Sequence, residues 1–367
     1  MTAMFIIFIF GIVILNMFTP IKEFSESENR VLEQIPKFSF KSLFKGQFTT
    51  SYEKYISDQF PLRDVWVGVK SRSDNTIGKK ESNGVYLGKD GYLLQQFTKP
   101  TDDEFKSKID AINKFDESVE GVNKYFMLVP TAINILHDKL PKYVDESEQN
   151  YYIKKTKESI NKDIKFVDVY NTLNSKKDEY IFYKTDHHWT TDGAYYAYET
   201  LGNIMGFTPL SKSDFKIKEV TNDFYGSLYS RGGFRDINPD SIHLYLNENQ
   251  DVNVEYFEDK PLKGSLYQME NLKKKDKYTV FLGGNHPLIK IKTQSDSDRK
   301  VLLIKDSYAN SFTPFLTSHF SEIYLVDLRY YGENIKDFIS ENGITDVLLL
   351  YNANTFFEDV SIRNLNQ

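Results

Sequence analysis

The chain has 367 residues, of which 40% are hydrophobic and 15% aromatic, enough to build the core of one large domain or two smaller ones. Its formal net charge of −6 provides no basic surface for nucleic acid, so no nucleic-acid partner is expected. Cysteine is absent, which excludes disulfides, thiolate nucleophiles and cysteine-ligated metal sites.

The first element in chain order is an apolar run over residues 4–18. It is shorter than the ~20 residues that span a bilayer comfortably. No positive charge precedes it, and the following "FTPIKEF" is a poor signal-peptidase substrate. We therefore expect residues 1–19 to form an uncleaved anchor in the cell membrane, with the rest of the chain outside the cytoplasm. Secretion after signal cleavage and a buried helix are the alternatives.

Residues 20–80 are polar and aromatic, and "SESENR" and "YISDQFPLRD" are their most distinctive phrases. We expect a juxtamembrane strap followed by helices at residues 49–56 and 65–77. The alternation in "GVYLGKDGYLLQQ", centred on the turn Lys89-Asp90-Gly91, predicts a β-hairpin.

Helices and short apolar strands alternate through the remaining domain, residues 81–367. Thr101 and Glu104 have the spacing of a capping box at the start of an amphipathic helix. Short apolar strands follow at "KYFMLVP", "IKFVDVY", "VLLIKDS", "EIYLVDL" and "DVLLLYN". This alternation predicts an α/β fold with a doubly wound parallel sheet and helices on both faces. The polar residues 206–275 are expected to form a β-rich insertion.

Ser307 follows one of these strands at a predicted strand-to-helix turn. Ligands of open α/β sheets bind beyond the carboxyl ends of the strands, so the hydroxyl of Ser307 is a candidate nucleophile. Its backbone N–H, together with the dipole of the next helix, would stabilise an oxyanion. The alternative is an ordinary helix N-cap, a position at which serine and aspartate are both favoured.

A serine nucleophile needs a base, and "KTDHHW" supplies one. In an extended segment, residues i and i+2 point the same way, so Asp186 and His188 should share a side. The carboxylate would then hold one ring nitrogen of His188, and the other would accept the proton of Ser307. His187 is expected to face away, and Trp189 to shape the cleft or anchor the following helix.

A metal site or simple packing are the other uses of these residues. The chain offers two adjacent histidines with Asp186 and Asp192 nearby. Adjacent histidines in an extended chain diverge, and the helical H-E-x-x-H pattern is absent. We expect no metal, although both alternatives stay open on the residues alone.

Taken together, these motifs resemble the DHHW proteins and the wider alginate O-acetyltransferase group related to SGNH hydrolases. The resemblance covers nearly the whole chain after residue 20, in the order "SESENRVLEQIP", "YISDQFPLRD", "NGVYLGKDGYL", "YKTDHHWTTDGAYYAY", "FYGSLYSRGG", "FLGGNHPLIKI", "LLIKDSYANSFTPFL" and "DLRYY". One departure is that the SGNH "GDS" is here Lys305-Asp306-Ser307, without the glycine.

The resemblance implies an SGNH-hydrolase-like enzyme outside the cytoplasm that moves acetyl groups onto an exported or cell-surface polysaccharide. Ser307 would be the nucleophile, His188 the base and Asp186 its orienting acid, with no cofactor. The acetyl donor would be delivered across the membrane by a multi-pass acyltransferase. An acetylesterase with the same triad and a non-catalytic glycan-binding assembly protein are the alternatives.

Five further residues follow strand ends and are candidates for the oxyanion hole or for substrate contact. Asn285, which follows Gly284, is the first candidate for a second oxyanion donor, and Asn352 is its rival. Arg329 and Tyr330 follow another strand, where they would line the cleft or contact sugar. Each has a structural alternative, namely a turn, a salt bridge or a packed ring.

Overall fold

The computed structural model describes residues 2–25, 30–144, 148–248, 250–257 and 261–366. Four residues of the quoted "SESENR" phrase, 26–29, lie outside the described residues. The helices, in chain order, are α1 (Thr2–Phe18), α2 (Phe40–Phe44), α3 (Gln47–Asp58), α4 (Arg63–Thr76), α5 (Asp102–Ser118), α6 (Ala132–Ile135), α7 (Glu148–Ser159), α8 (Tyr170–Ser175), α9 (Thr191–Met205), α10 (Ser227–Gly232), α11 (Tyr308–Phe312), α12 (Ile335–Asn342) and α13 (Ala353–Glu358).

The strands form one large sheet and three small ones. In chain order they are β1 (Phe24–Ser25), β2 (Arg30–Val31), β3 (Glu81–Ser82), β4 (Val85–Leu87), β5 (Leu93–Gln95), β6 (Asn123–Val129), β7 (Ile164–Phe166), β8 (Lys216–Phe224), β9 (Asp240–Leu246), β10 (Asn253–Phe257), β11 (Pro261–Gly264), β12 (Leu288–Lys292), β13 (Lys300–Lys305), β14 (Glu322–Val326) and β15 (Asp346–Asn352).

The N-terminal apolar run forms α1, a helix of 17 residues. Among the described residues, no helix combines the length and apolar character needed to cross a bilayer. The transmembrane anchor expected from the sequence therefore has no support. The helices predicted at residues 49–56 and 65–77 are confirmed as α3 and α4.

Local signals in the next part of the chain are also confirmed. β4 and β5 pair antiparallel around the predicted turn, and β3 adds a third strand. At the start of α5, the Thr101 hydroxyl accepts the Glu104 N–H, and the Glu104 carboxylate accepts the Thr101 N–H, which is a complete capping box.

The central sheet has eight strands in the order β11-β10-β12-β14-β13-β15-β6-β7. From β14 to β7 the neighbours are parallel, as predicted. β12, β10 and β11 extend the sheet in antiparallel orientation, so it is mixed rather than wholly parallel. Burial explains the difference: β13 and β15 are buried almost throughout, whereas β10 and β12 alternate between buried and more exposed residues.

Residues 206–275, predicted as one β-rich insertion, contribute strands to two different sheets. β8 and β9 form a separate antiparallel ribbon, whereas β10 and β11 belong to the central sheet. The ribbon reaches the active-site region through Asp240, its first residue in β9, whose contacts are described below.

Two apolar clusters cover the two faces of the central sheet, with α9 and α11 on one face and α5 and α12 on the other. Helices on both faces were predicted from the strand–helix alternation. The register pairs Lys305 of β13 with Leu350 of β15, so these two central strands end at the same edge. This edge carries the candidate site.

Candidate active site

Ser307 lies at the carboxyl edge of the central sheet, between the end of β13 and the start of α11. It occupies the N-cap position, but its side chain makes no capping hydrogen bond. Ser307 is half-buried, whereas Lys305 and Asp306 before it are fully buried. Its hydroxyl therefore does not cap the helix and remains accessible.

The buried carboxylate of Asp306 fixes the turn that carries Ser307. It accepts the backbone N–H of Tyr308 at 2.9 Å and both the backbone N–H and the side-chain amide of Asn352, at 2.8 and 2.7 Å. Burial raises the pKa of Asp306 to about 6, against the opposing effect of these backbone hydrogen bonds. The ends of β13 and β15 are thereby tied together beside Ser307.

A continuous chain of hydrogen bonds joins Asp186, His188 and Ser307. Asp186 Oδ1 lies 2.5 Å from His188 Nδ1, and His188 Nε2 lies 2.7 Å from Ser307 Oγ. Ser307 is 119 residues from His188 in the sequence. The geometry gives each ring nitrogen one partner: the carboxylate on one side and the hydroxyl on the other.

Asp186 is buried and held from its other side by the start of α10. Its Oδ2 accepts the Ser227 N–H at 2.8 Å, and a Cβ added at Gly226 would lie only 2.2 Å from the Asp186 Cβ. Burial alone would raise the pKa of Asp186, but the charges of His188 and His187 and the hydrogen bonds from His188 and Ser227 hold it well below its usual range. The carboxylate is therefore ionised and ready to accept the Nδ1–H.

The segment that carries Asp186 and His188 has no regular secondary structure, and buried Asp240 holds it in place. The Asp240 carboxylate accepts the backbone N–H groups of Lys184 and Thr185, at 2.8 and 2.7 Å, and the Thr185 hydroxyl. The Tyr180 hydroxyl also donates to this carboxylate. Because four donors converge on Asp240, the backbone just before Asp186 is fixed. Sequence reasoning missed Asp240; its position at the first residue of a strand was the only signal.

The prediction that His187 faces away from the site is wrong. The ring centroids of His187 and His188 are 3.8 Å apart, and His187 Nδ1 lies 2.7 Å from the Ser227 hydroxyl. The expectation assumed an extended segment, whereas this stretch bends at each residue. Burial, followed by the charge of His188, lowers the pKa of His187 to about 4.

Trp189 anchors α11, the helix that follows Ser307. Its side chain is fully buried, and its Nε1–H donates to the Tyr308 carbonyl at 3.0 Å and lies 3.1 Å from the Ser311 hydroxyl. In return, the Tyr308 hydroxyl donates to the His187 carbonyl. The histidine segment and α11 are therefore linked in both directions. Anchoring of a helix was one of the two roles expected for Trp189, although the helix is α11 rather than α9.

Tyr278 supports the imidazole of His188 and was missed in the sequence. The two rings stack with centroids 3.7 Å apart and an angle of 9°. The Tyr278 hydroxyl donates to the Ser307 carbonyl at 3.1 Å and lies 3.1 Å from the Ser311 hydroxyl. With His187 on the other side, the His188 ring is held between two aromatic rings.

With this geometry in place, comparison with known proteins identifies the family. The family described as DHHW protein matches residues 73–326, which is more than half of the chain. The chain belongs to the DHHW family.

Solved structures show the same fold for this DHHW protein. A DHHW family protein from Eubacterium siraeum is 26% identical, with a TM-score of 0.66 over 77% of this chain and 95% of that one. PatB1 of Bacillus cereus, solved with a sulfonyl adduct, is 21% identical, with a TM-score of 0.67 over 77% of this chain and 98% of that one.

The curated relative is the probable alginate O-acetylase AlgJ of Pseudomonas aeruginosa. It is 23% identical over 194 residues, which are 48% of this chain and 46% of AlgJ. The DHHW protein thus matches about half the length of this relative.

Asn285 was expected at the end of a strand, but Lys277–Val280 form a 3-10 helix and Phe281 makes only an isolated bridge, whereas Asn352 does end β15. The two oxyanion candidates also differ in their free N–H donors. Asn285 Oδ1 lies 3.0 Å from Lys305 Nζ and 3.3 Å from Asn310 Nδ2, so its own amide nitrogen is turned away from this network. In contrast, the Asn352 amide nitrogen donates to Asp306 and to Thr355, each at 2.7 Å. Both amide hydrogens of Asn352 are engaged, and the geometry makes it a positioning residue.

The network around Asn285 is centred on a buried lysine. Lys305 Nζ also donates to Asn310 Oδ1 at 2.8 Å, and burial lowers the pKa of Lys305 to about 8. Gly284, with φ of 109°, adopts the left-handed region, and its carbonyl accepts from the Asn310 amide at 3.1 Å. Lys305 thus orients Asn285.

Arg329 and Tyr330 lie at the edge of this region. The Arg329 guanidinium makes a two-point contact with Asp327, at 2.8 and 2.6 Å, which matches the salt-bridge alternative. Tyr330 is exposed, with the Arg329 guanidinium 5.5 Å from its ring centroid. The charge of Arg329 is already neutralised by the protein.

The metal alternative is tested by the donor atoms themselves. One ligand atom each from Asp186, His187 and His188 lie within 4.8 Å of one another, close enough to share an ion. However, both Asp186 oxygens, both His188 nitrogens and His187 Nδ1 already have hydrogen-bond partners within the site. Because an ion would have to replace these bonds, the donor set fits proton transfer better than metal ligation.

Proposed function

We propose that this DHHW protein is a serine-dependent O-acetyltransferase that works through an acetyl-serine intermediate, with a polysaccharide as acceptor. One observation carries the proposal: the hydrogen-bond chain from Asp186 through His188 to a Ser307 hydroxyl that does not cap its helix. This is the nucleophile, base and orienting acid that acyl transfer requires.

In the first half-reaction, Ser307 Oγ attacks the acetyl carbonyl of the donor while its proton passes to His188 Nε2. The carbonyl π electrons move to oxygen and form a tetrahedral oxyanion. Its collapse breaks the bond to the leaving group, which takes the proton from His188. Asp186 stays ionised throughout and stabilises the imidazolium by accepting the Nδ1–H.

In the second half-reaction, an acceptor hydroxyl gives its proton to His188 Nε2 and attacks the acetyl carbon. The bond to Ser307 Oγ then breaks, and this oxygen regains the proton. We propose the Ser307 N–H and the Asn285 amide as oxyanion donors. Among the described residues, the N–H of Ser307 makes no hydrogen bond. One such donor contributes about 10²- to 10³-fold to the rate.

The polysaccharide acceptor is supported by the relative AlgJ, which is named as a probable alginate O-acetylase. The extracytoplasmic setting and delivery of the donor by a multi-pass membrane acyltransferase remain part of the proposal. They rest on the apolar N-terminal run, whose side chains at Met4, Phe5 and Ile7 are exposed. Cell fractionation with protease protection of the C-terminal domain tests this setting.

The reaction is tested with the full chain and a chromogenic acetyl ester, with and without oligosaccharide acceptors. We expect chromophore release by the wild type, its loss in Ser307→Ala and His188→Ala, and normal release by Ser175→Ala, a control at an exposed serine ending α8. Turnover that survives Ser307→Ala would overturn the proposed mechanism.

An acetylesterase is the second candidate, because Ser307 is half-buried rather than sealed and water has a route to the acyl-enzyme. The products decide between the two reactions. Acetylated oligosaccharide indicates a transferase, whereas free acetate alone, at saturating acceptor, indicates an esterase. A non-catalytic glycan-binding protein would give neither product.

A further inference from the structure

Arg231 lies at the far end of α10, the short helix whose first N–H binds Asp186. Its Nε–H donates to the Asn83 carbonyl at 2.8 Å, and the Asn83 side-chain amide donates to the Arg231 carbonyl at 2.9 Å. This reciprocal pair crosses 148 residues of sequence. It joins two distinctive stretches of the sequence, "NGVYLGKDGYL" and "FYGSLYSRGG", neither of which contains Asp186, His188 or Ser307.

The turn that contacts Arg231 has a glycine where a side chain would come close to the guanidinium. Asn83 and Gly84 both have positive φ, 52° and 71°, as a two-residue hairpin turn between β3 and β4 requires. A Cβ added at Gly84 would lie 3.0 Å from Arg231 Nη2. The guanidinium therefore rests against the turn with one edge, and its terminal nitrogens are left as donors.

Among the described residues, no carboxylate neutralises Arg231. Within the described ranges, no Asp or Glu oxygen forms an ion pair with its guanidinium, and its polar contacts are those with Asn83. By comparison, Arg329 and Arg299 each make a two-point contact, with Asp327 and Asp346 respectively. Arg231 is exposed, so its charge lies at the protein surface.

Two clefts meet at Arg231. One, of 210 Å³, is lined by His187, Ser227 and Arg231 together with the amide of Asn354 and, farther along, the carboxylate of Glu358 at the end of α13. The other, of 490 Å³, also has Arg231 in its lining and runs along α4, where Lys70 and Asp74 contribute to it. The His187 ring, 3.8 Å from the His188 ring, is the wall between the first cleft and the base, so a ligand there lies next to the triad.

We propose that Arg231 is the anion-binding residue of an acceptor subsite, and that the acceptor is a polysaccharide carrying carboxylate or phosphate groups. This proposal rests on the proposed function for the identity of the acceptor. A planar guanidinium held at one edge presents paired N–H donors that match the two oxygens of a carboxylate or phosphate. Arg231 lines both clefts, which suits a chain of sugar units.

The experiment measures binding by calorimetry to the full chain in the Ser307→Ala background, which prevents turnover. Trigalacturonate and a glycerol-phosphate trimer are the two anionic probes, and galactotriose is the neutral one. We expect at least one anionic probe to bind about 10-fold more tightly than galactotriose, since a charged hydrogen-bonded contact adds this much. Comparison of the two anionic probes distinguishes carboxylate from phosphate.

In the same Ser307→Ala background, Arg231→Gln should remove the preference for the anionic probes. Arg231→Lys should keep part of this preference, and it also serves as a control for misfolding. Arg363→Gln, at an exposed arginine beside a separate cleft, should keep it in full. Equal binding of all three probes, or a preference that survives Arg231→Gln, would overturn the proposal.

Turnover of the chromogenic ester by the chain with Ser307 intact separates this proposal from the proposed function, because acetyl release needs no acceptor. Normal turnover without anion-dependent binding would overturn the subsite alone. Anion-dependent binding without turnover would support the subsite and contradict the acetyltransferase.

Discussion

The two halves of the candidate active site are held by different kinds of structure. Ser307 lies two residues after the end of β13, a buried strand with parallel neighbours on both sides. Asp186 and His188 lie in a segment without regular secondary structure, closed by a single bridge between Phe182 and Trp189. The serine half is positioned mainly by the sheet, and the histidine half by individual polar contacts.

This difference predicts where the site is easiest to disturb. A strand in a sheet shares its position among many backbone hydrogen bonds and apolar contacts, so no single side chain decides it. In the histidine half, one carboxylate, Asp240, accepts three donors from the residues just before Asp186. Loss of that one partner leaves several buried donors unsatisfied.

The largest expected effect on kcat comes from removing the reacting side chain of either half of the site. Ser307→Ala and His188→Ala should each lower kcat for the acetyl ester by about 10⁴-fold or more, and the double variant should lower it no further, because the residues act as a unit. Steady-state kinetics of the three variants test this. Additive losses would mean that the two residues do not share one step.

The second prediction concerns Asp240, which holds the histidine half. Asp240→Asn replaces an acceptor by an amide that faces backbone N–H groups, so it should lower kcat about 10²-fold and destabilise the fold by about 3 kcal/mol. Enzyme kinetics and urea unfolding measure the two effects. Asp223→Asn, at an exposed carboxylate on the same ribbon, is the control and should change neither. Unchanged kcat in Asp240→Asn would show that the sheet alone positions the site.

The third prediction concerns Trp189, which connects the two halves. Trp189→Phe keeps an aromatic ring but removes the N–H that donates to the Tyr308 carbonyl. We expect a loss of about 1–3 kcal/mol in the free energy of unfolding, together with a lower kcat, because a buried acceptor loses its partner. Urea unfolding and kinetics measure both. A variant that is destabilised with normal kcat would mean that the link does not position the serine.

The smallest effect is the pH dependence of stability that His187 contributes. Its pKa is lowered to about 4 in the folded chain from 6.5, so between these values the unfolded chain binds the proton more tightly. Stability is therefore lost as the pH falls from 6.5 to 4. Urea unfolding at pH 7 and pH 4.5 gives the free energy of unfolding at each pH. Between these pH values the wild type should lose more of this free energy than His187→Gln does, by an amount on the order of 2 kcal/mol. Equal losses would contradict this environment for His187.

The sequence predicted the serine half better than the histidine half. An apolar strand followed by a helix is a local pattern, and it placed Ser307 at the edge of the sheet. The i, i+2 argument put Asp186 and His188 on one side, but it placed His187 wrongly because the segment is bent rather than extended. The mixed sheet was missed for a similar reason, since strand direction depends on long-range pairing.

Residues that support the site through distant contacts could not be found in the sequence. Asp240 reaches Thr185 across 55 residues, and Tyr278 reaches Ser307 across 29. Arg329 and Arg231 look alike in the sequence. Only the structure shows that Arg329 is neutralised by Asp327, whereas Arg231 contacts Asn83 and, among the described residues, forms no ion pair. Partner identity, rather than residue type, decides these roles.

The most direct test of the central claim is mass spectrometry of the chain quenched during turnover of the acetyl ester. We predict one added acetyl group on the peptide that contains Ser307, lost again when an acceptor is supplied, and absent in His188→Ala. Turnover without any acetylated Ser307, or an acetyl group on a different residue that turns over at the same rate, would contradict an acetyl-serine mechanism.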